Sequence, residues 1–196
     1  MKRVFDILFS FIGLILLFPF FIIISIIIMV ESKGPVFFLQ ERVGINNKDF
    51  KIFKFRTMYV GSDKKGLLTV GDRDPRVTKV GYFLRKYKFD EIPQLINVFI
   101  GNMSFVGPRP EVRKYVNHYS ENDLKILAIK PGITDYASIH FRNEAELLKS
   151  VKDPDLLYVK EILPEKIRLN KLYLNNPTIY QDFKIILNTI RVVFSK

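Results

Sequence analysis

The sequence predicts an α+β protein in which an apolar N-terminal helix-break-helix precedes a mostly helical soluble domain with one small β-hairpin. The first observation is an almost uninterrupted apolar run over residues 4–30. The second is a pair of strand-like stretches at 36–39 and 50–55, separated by turn residues. The third is the helical spacing of apolar residues that recurs in most of the remaining chain. Residues 60–76, rich in Gly, Asp and Lys, are predicted to form a loop.

The apolar run is long enough to cross a bilayer, but a proline divides it. As a single helix it would measure about 40 Å, against a hydrocarbon core of about 30 Å. Because proline removes one helical N–H and clashes with the preceding turn, we expect a break at Phe18-Pro19. The two legs would be about 22 and 16 Å long, and each is too short to span. The sequence therefore leaves two topologies open: a kinked spanning helix, and a re-entrant hairpin that enters and leaves on one side.

Charge bears on both the topology and the partners. Lys2 and Arg3 precede the apolar run and a basic domain follows it, which favours placing both flanks in the cytoplasm. We accordingly divide the chain into a membrane segment, 1–33, and one continuous cytoplasmic domain, 34–196. The formal net charge of +11 suits nucleic acid, an anionic membrane surface or phosphorylated substrates. The absence of cysteine excludes disulfides and thiolate metal sites.

Two adjacent carboxylates, Asp90 and Glu91, are the strongest candidates for catalysis. They end a stretch, 73–91, that contains six Lys/Arg and only three acids. Carboxylates beside cations are expected to stay ionised, and an ionised carboxylate can act as a nucleophile or a metal ligand. The alternative is structural: Asp90 would cap a helix over 90–100, with Glu91 in its first turn. The apolar stripe of that predicted helix consists of Ile92, Leu95, Ile96 and Phe99.

Cations elsewhere in the chain are candidates for binding phosphate. Arg109 stands between two prolines, whose fixed φ angles set its direction in advance. Lys54 and Arg56 end a predicted strand, and alternate strand residues share a face. Arg142 follows a stretch, 133–141, that is predicted to be extended. Each has a structural alternative: a solvent-exposed turn for Arg109 and a solvated sheet face for Lys54 and Arg56.

Taken together, these motifs resemble one family, the bacterial sugar transferases known as monotopic polyprenyl-phosphate phosphoglycosyl transferases. The resemblance is to the minimal, small catalytic form, without the N-terminal membrane helices and extra domain of larger relatives. The matching segments occur in order along nearly the whole chain: 2–6, the run broken at Phe18-Pro19, 40–44, 50–58, 78–85, 90–98, 101–110 and 131–134.

The resemblance implies a reaction and roles for the candidate residues. The family transfers a sugar-1-phosphate from a UDP-sugar to undecaprenyl phosphate and releases UMP, as the first membrane step in making a surface glycan or a glycoprotein glycan. Asp90 would be the nucleophile that carries a covalent phosphosugar, with Mg²⁺ at Asp90. Glu91 would assist as an orienting or acid/base group. The expected phosphate-binding cations are Arg85, Arg109, Arg142, Lys54 and Arg56.

The resemblance also implies a location and partners. It favours the re-entrant hairpin, on the cytoplasmic face of the bacterial inner membrane, and a monotopic protein. The expected partners are the UDP-sugar, undecaprenyl phosphate and membrane lipids but not nucleic acid, and a homodimer stays open. Arg142 still aligns with the family pattern, but residues 135–141 before it differ in size and polarity, so no sugar is assigned from them. The rival function is a non-enzymatic, membrane-bound basic adaptor or nucleic-acid binder, which leaves Asp90 and Glu91 unexplained.

Overall fold

A computed structural model describes residues 1–62, 74–149 and 151–194. The α+β class is confirmed, with helices more abundant than strands. The α-helices are α1 (Lys2–Glu31), α2 (Lys79–Lys86), α3 (Gln94–Ile100), α4 (Arg113–Val116), α5 (Tyr136–His140), α6 (Glu144–Lys149), α7 (Pro154–Leu157), α8 (Leu163–Leu174) and α9 (Ile179–Phe194). The strands are β1 (Phe37–Val43), β2 (Asp49–Phe55), β3 (Ser104–Val106) and β4 (Gly132–Thr134).

The predicted β-hairpin is confirmed. β1 and β2 pair antiparallel, with Phe37 opposite Phe55 and Gln40 opposite Ile52. The connection between the strands turns through Asn46 and Asn47, whose φ angles of 55° and 60° lie in the left-handed region that asparagine tolerates. Most of the loop predicted at 60–76 lies outside the described residues.

The helix is not interrupted at Phe18-Pro19, because α1 runs from Lys2 to Glu31 with Pro19 inside it, and a bend there stays a prediction. Proline removes one backbone hydrogen bond, and packing on both sides of Pro19 holds the helix in place. Before the proline, Gly13 lies so close to Leu95 that an added Cβ would be 3.2 Å from its methyl group. After it, the rings of Phe20 and Phe89 meet with centroids 5.4 Å apart.

Both ends of α1 are bound to the same domain. At the start, Lys2 Nζ donates to Tyr173 Oη and Asp182 Oδ2, each at 2.7 Å. At the end, Glu31 accepts hydrogen bonds from the first N–H groups of α2, the nearer at 2.8 Å. The opposite side of α1 is exposed and almost entirely apolar. Among the described residues, α1 is the one helix long and apolar enough to cross a membrane. The re-entrant topology and the division into 1–33 and 34–196 stay predictions.

A second, parallel pair of strands positions the loop that follows β3. Ser104 pairs with Gly132 and Val106 with Thr134. The two chains approach so closely that a Cβ on Gly132 would lie 2.1 Å from the backbone N of Gly107. Only glycine fits such an approach, so this pair of glycines fixes where the loop with Arg109 leaves the sheet.

Two predicted elements differ from the structure. The helix predicted over 90–100 begins only at Gln94, and the preceding residues form a short 3₁₀ turn, Phe89–Glu91, so Asp90 does not cap it. The stretch 133–141 is not extended throughout, because α5 occupies most of it. Asp135 begins that helix by accepting the N–H of Ser138 at 2.6 Å, which satisfies one of its free N–H groups.

The helix α9 has one buried face and one exposed, largely apolar face. Its inward face carries Ile185, which is fully buried, and Asp182. Apolar side chains elsewhere on the helix are largely exposed, with Phe183, Leu187 and Ile190 about half exposed or more. α9 therefore adds a second exposed apolar surface to that of α1.

Candidate active site

The backbone before α3 separates the two candidate carboxylates. Lys88 has a φ of 58°, a left-handed conformation that ends the approach from α2 and starts the turn Phe89–Glu91. A non-glycine residue in this region costs some conformational energy and is more common at functional sites. The turn places Asp90 and Glu91 in one cavity but gives them different surroundings.

Glu91 is held by two cations. One oxygen, Oε1, accepts a short hydrogen bond from Arg109 Nη2 and a longer one, 3.4 Å, from Lys54 Nζ. Burial alone would raise the pKa of Glu91, but the charges of Arg109 and Lys54 outweigh it and hold that pKa well below its ordinary value. Glu91 is therefore an ionised, ion-paired carboxylate.

Asp90 has no such partner. It is 8% exposed, and its Oδ1 has no hydrogen-bond partner among the residues that the structure describes. Burial raises the pKa of Asp90, and the negative charge of Glu91 raises it further. The surrounding cations thus lower the pKa of Glu91, whereas at Asp90 burial and the charge of Glu91 outweigh them and raise the pKa.

Lys54 and Arg109 reach Glu91 from different elements. Lys54 is the penultimate residue of β2, and burial lowers its pKa to about 8 although Glu91 opposes this effect. Arg109 leaves the loop after β3, and the charge of Glu91 raises its pKa. The backbone N–H of Arg109 donates to Asp135 Oδ2 at 2.8 Å, which anchors the arginine at its base.

Asn97 joins the two elements that carry this ion pair. It is completely buried in α3, accepts the N–H of Phe53 at 2.9 Å and donates to the carbonyl of Lys51 at 2.8 Å. These bonds fix α3 to β2, and with them the turn that carries Glu91 to the strand that carries Lys54. Sequence reasoning missed this role, although a polar residue beside the apolar stripe of a predicted helix could have indicated it.

A second ion pair next to the site was also missed. Arg42 Nη1 donates to Glu111 Oε1 at 3.3 Å, and Tyr158 donates a short hydrogen bond to the other oxygen of Glu111. Burial lowers the pKa of Arg42. Arg42 lies within the matching segment 40–44 and Glu111 directly follows 101–110, but nothing in their spacing predicts that they meet.

The remaining predicted phosphate-binding residues lie in different places. Arg85 lines the cavity with Asp90, and its charge acts on Asp90. Arg56 also borders the cavity, but its Nη1 and Nη2 donate to the carbonyls of Lys33 and Ser32, at 2.5 and 2.6 Å. Arg56 therefore closes the C-terminal end of α1 instead of sharing the contact of Lys54 with Glu91. Arg142 is exposed at the rim and donates to the carbonyl of Val193 in α9.

The cavity around Asp90 has a volume of about 790 Å³, which is large enough for a nucleotide-sized ligand. It has an apolar end near Leu17 of α1 and a charged centre at Asp90 and Glu91. A third part, between α5 and α8, is lined by polar and aromatic groups such as Ser138, Asn170 and Tyr158, and by the ion pair of Lys166 with Glu144.

The donor set at the charged centre fits magnesium. No group of three His, Cys, Asp or Glu side chains that could hold a metal occurs within residues 1–62, 74–149 and 151–194. Mg²⁺ commonly binds through one or two carboxylates, completed by substrate phosphates and waters. The unpartnered Oδ1 of Asp90 offers such a ligand, whereas Glu91 is already held by cations.

The fold and the site define a class of protein. A sequence model of the bacterial sugar transferase family matches residues 1–196, and the chain belongs to this family.

Three relatives are similar to this chain over most of its length. The chain is 36% identical over 197 residues to the UDP-N-acetylgalactosamine-undecaprenyl-phosphate N-acetylgalactosaminephosphotransferase of Aeromonas hydrophila, covering 99% of this chain and 44% of the relative. It is 39% identical over 168 residues to the UDP-glucose:undecaprenyl-phosphate glucose-1-phosphate transferase of Escherichia coli K12, covering 82% and 36%. The uncharacterized sugar transferase EpsL of Bacillus subtilis is 36% identical over 167 residues, covering 85% and 74%. The chain thus spans less than half the length of the first two relatives.

Proposed function

We propose that this protein transfers a sugar-1-phosphate from a UDP-sugar to undecaprenyl phosphate and releases UMP. The observation that carries the proposal is the pairing of an unpartnered, buried Asp90 with an ion-paired Glu91 in one cavity. The names of the two relatives, one acting with N-acetylgalactosamine and the other with glucose, support the reaction class and leave the sugar open.

In the first proposed step, a carboxylate oxygen of Asp90 attacks the β-phosphorus of the UDP-sugar. An O–P bond forms to Asp90, the bond from that phosphorus to the bridging oxygen breaks, and UMP leaves with the electron pair. A raised pKa makes Asp90 a more basic, and hence more nucleophilic, carboxylate once it is ionised. Arg109 and Lys54 lie where they can bind the diphosphate oxygens, and Glu91 orients both cations.

In the second step, a phosphate oxygen of undecaprenyl phosphate attacks the same phosphorus. A P–O–P bond forms, the bond to Asp90 breaks, and the carboxylate is restored. Because the two substrates react in turn at one carboxylate, the kinetics are expected to be ping-pong. The apolar end of the cavity near Leu17 suits the lipid acceptor.

Magnesium fits this scheme as a cofactor held by Asp90. When bound, it would neutralise the charge that develops on the phosphate oxygens. Arg85, which lines the same cavity, would add a fixed positive charge beside the donor.

We also propose that α1 is held in one leaflet, on the cytoplasmic face of the inner membrane. Lys2 and Glu31, at opposite ends of α1, both contact the same domain, and a helix crossing the bilayer would have to release one of these contacts. The exposed apolar faces of α1 and α9 suit membrane lipids. Labelling of the N-terminus from the periplasmic side would contradict this topology.

The test of the chemistry is UMP release by purified protein with a panel of UDP-sugars, with and without undecaprenyl phosphate. Asp90→Asn should abolish UMP release, whereas Asp49→Asn, an exposed carboxylate on β2, should retain it. A trapped intermediate should carry the phosphosugar mass on the peptide that contains Asp90. UMP release at a normal rate by Asp90→Asn would refute the nucleophile, and no UMP release from any donor would favour the rival, a non-enzymatic adaptor.

A further inference from the structure

We infer that the part of the cavity between α5 and α8 binds the uncharged portion of the nucleotide-sugar donor through Asn170 and Ser138. The inference rests on the proposed function, and it assigns a ligand to a region that the chemistry at Asp90 does not use. The ligand class is a hydrogen-bonding ring, either the sugar, with its hydroxyl and amide groups, or the uracil base.

The first support is a pair of buried polar atoms without partners. Asn170, on α8, is only 5% exposed, yet its Oδ1 has no hydrogen-bond partner among the described residues. The same holds for the buried Oγ of Ser138, on α5. Both residues line the cavity, and their two helices pack against each other. Because buried polar atoms are nearly always paired, two orphans in one cavity wall indicate a ligand that completes them.

The second support is the charge of this region, which does not suit a phosphate. The cations near it already have partners. Lys166 is paired with Glu144 Oε2 at 2.5 Å and also donates to Tyr158 Oη at 3.1 Å. Arg42 is paired with Glu111, and Arg142 donates to the carbonyl of Val193. The carboxamide oxygen of Asn170 can only accept, so it calls for an O–H or N–H on the ligand. Sugar hydroxyls, an acetamido N–H and the N3–H of uracil all provide one.

The third support is the rigid connection to the reacting centre. The N–H of Ser138 donates to Asp135 Oδ1 at 2.6 Å, and the other oxygen of Asp135 accepts the N–H of Arg109. Arg109 in turn binds Glu91. Ser138 is therefore held at a fixed position relative to Arg109, the cation that would bind the diphosphate. A UDP-sugar whose diphosphate is bound by Arg109 can thus reach this wall of the cavity.

The test compares Asn170→Ala and Ser138→Ala with Asn175→Ala, an exposed asparagine just after α8. Loss of one hydrogen bond to the donor is expected to raise KM for the UDP-sugar about tenfold, with kcat changed less than about twofold. Asn175→Ala should match the wild type. Melting temperatures measured alongside separate lost binding from lost folding, and Ser138→Ala tests the site independently if Asn170→Ala does not fold.

A second arm distinguishes the two sources of the ligand group. If Asn170→Ala also weakens inhibition by UMP, which carries uracil but no sugar, the ring bound is uracil. If inhibition by UMP is unchanged and only the UDP-sugars lose affinity, the ring bound is the sugar. Unchanged KM for every donor together with unchanged inhibition by UMP, in both well-folded variants, would overturn the inference.

A third arm separates failure of this inference from failure of the proposed function. Binding of UDP-sugars is measured by calorimetry in the Asp90→Asn background, where turnover is not needed. Binding that depends on Asn170 without any turnover in the wild type would sustain the site and refute the reaction. Turnover in the wild type, together with UDP-sugar binding that does not change when Asn170 or Ser138 is replaced, would support the reaction and refute the binding site.

Discussion

Replacing Asn97 by alanine should destabilise the protein and disorganise the site at the same time. The substitution removes the acceptor for the N–H of Phe53 and the donor to the carbonyl of Lys51. Each backbone group left without its partner in a largely buried position costs about 1–1.5 kcal/mol, so the loss is about 2–3 kcal/mol in the free energy of unfolding. For a chain of this size, that corresponds to a fall of roughly 5–10 °C in the melting temperature.

Thermal unfolding of the wild type and Asn97→Ala is measured in the same detergent. UMP release is then measured at a temperature below the melting temperatures of both proteins. The matched control is Asn102→Ala, because Asn102 is exposed just beyond the end of the same helix. UMP release should also fall, since α3 and β2 hold Glu91 and Lys54 in contact only while Asn97 joins them. A melting temperature for Asn97→Ala within about 2 °C of that of Asn102→Ala would refute this reasoning.

Three further predictions concern the elements around the cavity. Lys54 is cationic below its pKa of about 8 and neutral above it, so kcat/KM should fall as the pH rises through 8. Lys54→Arg should move this fall in kcat/KM to higher pH, because arginine stays cationic. A fall at the same pH in Lys54→Arg and the wild type would contradict this prediction. Gly81→Ala should lower the free energy of unfolding by about 2 kcal/mol or more, because the added Cβ would lie 2.0 Å from the carbonyl oxygen of Thr57. Lys79→Ala, at an exposed position of the same helix, is the control, and equal melting temperatures for the two variants would count against this prediction. Arg56→Lys should lower the melting temperature and leave KM for the donor within about twofold, since Arg56 binds the end of α1; a raised KM at unchanged stability would restore a phosphate-binding role.

The sequence allowed the α+β class, the hairpin and the candidate carboxylates to be predicted because each has a local signal. Strand-forming residues flank a turn rich in asparagine, and Asp90 and Glu91 stand side by side in a basic stretch. That Glu91 is ion-paired and Asp90 is not could not be predicted, because it depends on which of the two carboxylates Arg109 contacts. Arg109 lies on a loop whose position is fixed by the close approach of Gly107 and Gly132.

The continuity of α1 through Pro19 could not be predicted from a local signal. The local rule against proline inside a helix is sound, but the packing of Gly13 and Phe20 against distant residues outweighs it. The same limitation applies to Asp90, where a nearby helix suggested a cap and the chain instead makes a 3₁₀ turn. Such outcomes follow from contacts between residues far apart in sequence, which neither spacing nor composition reveals.

The contact between Lys2 and Asp182 has a consequence for the order in which the molecule is made. The two residues are 180 positions apart, so Lys2 leaves the ribosome long before its partner exists. Throughout synthesis α1 is an apolar helix whose final binding place is incomplete, and it needs the lipid or a carrier to cover it. The last helix, α9, then completes the polar contacts that secure the first. A nonsense mutation between Tyr173 and Asp182 would therefore leave Lys2 without Asp182, although Lys54, Asp90, Glu91 and Arg109 would already be made.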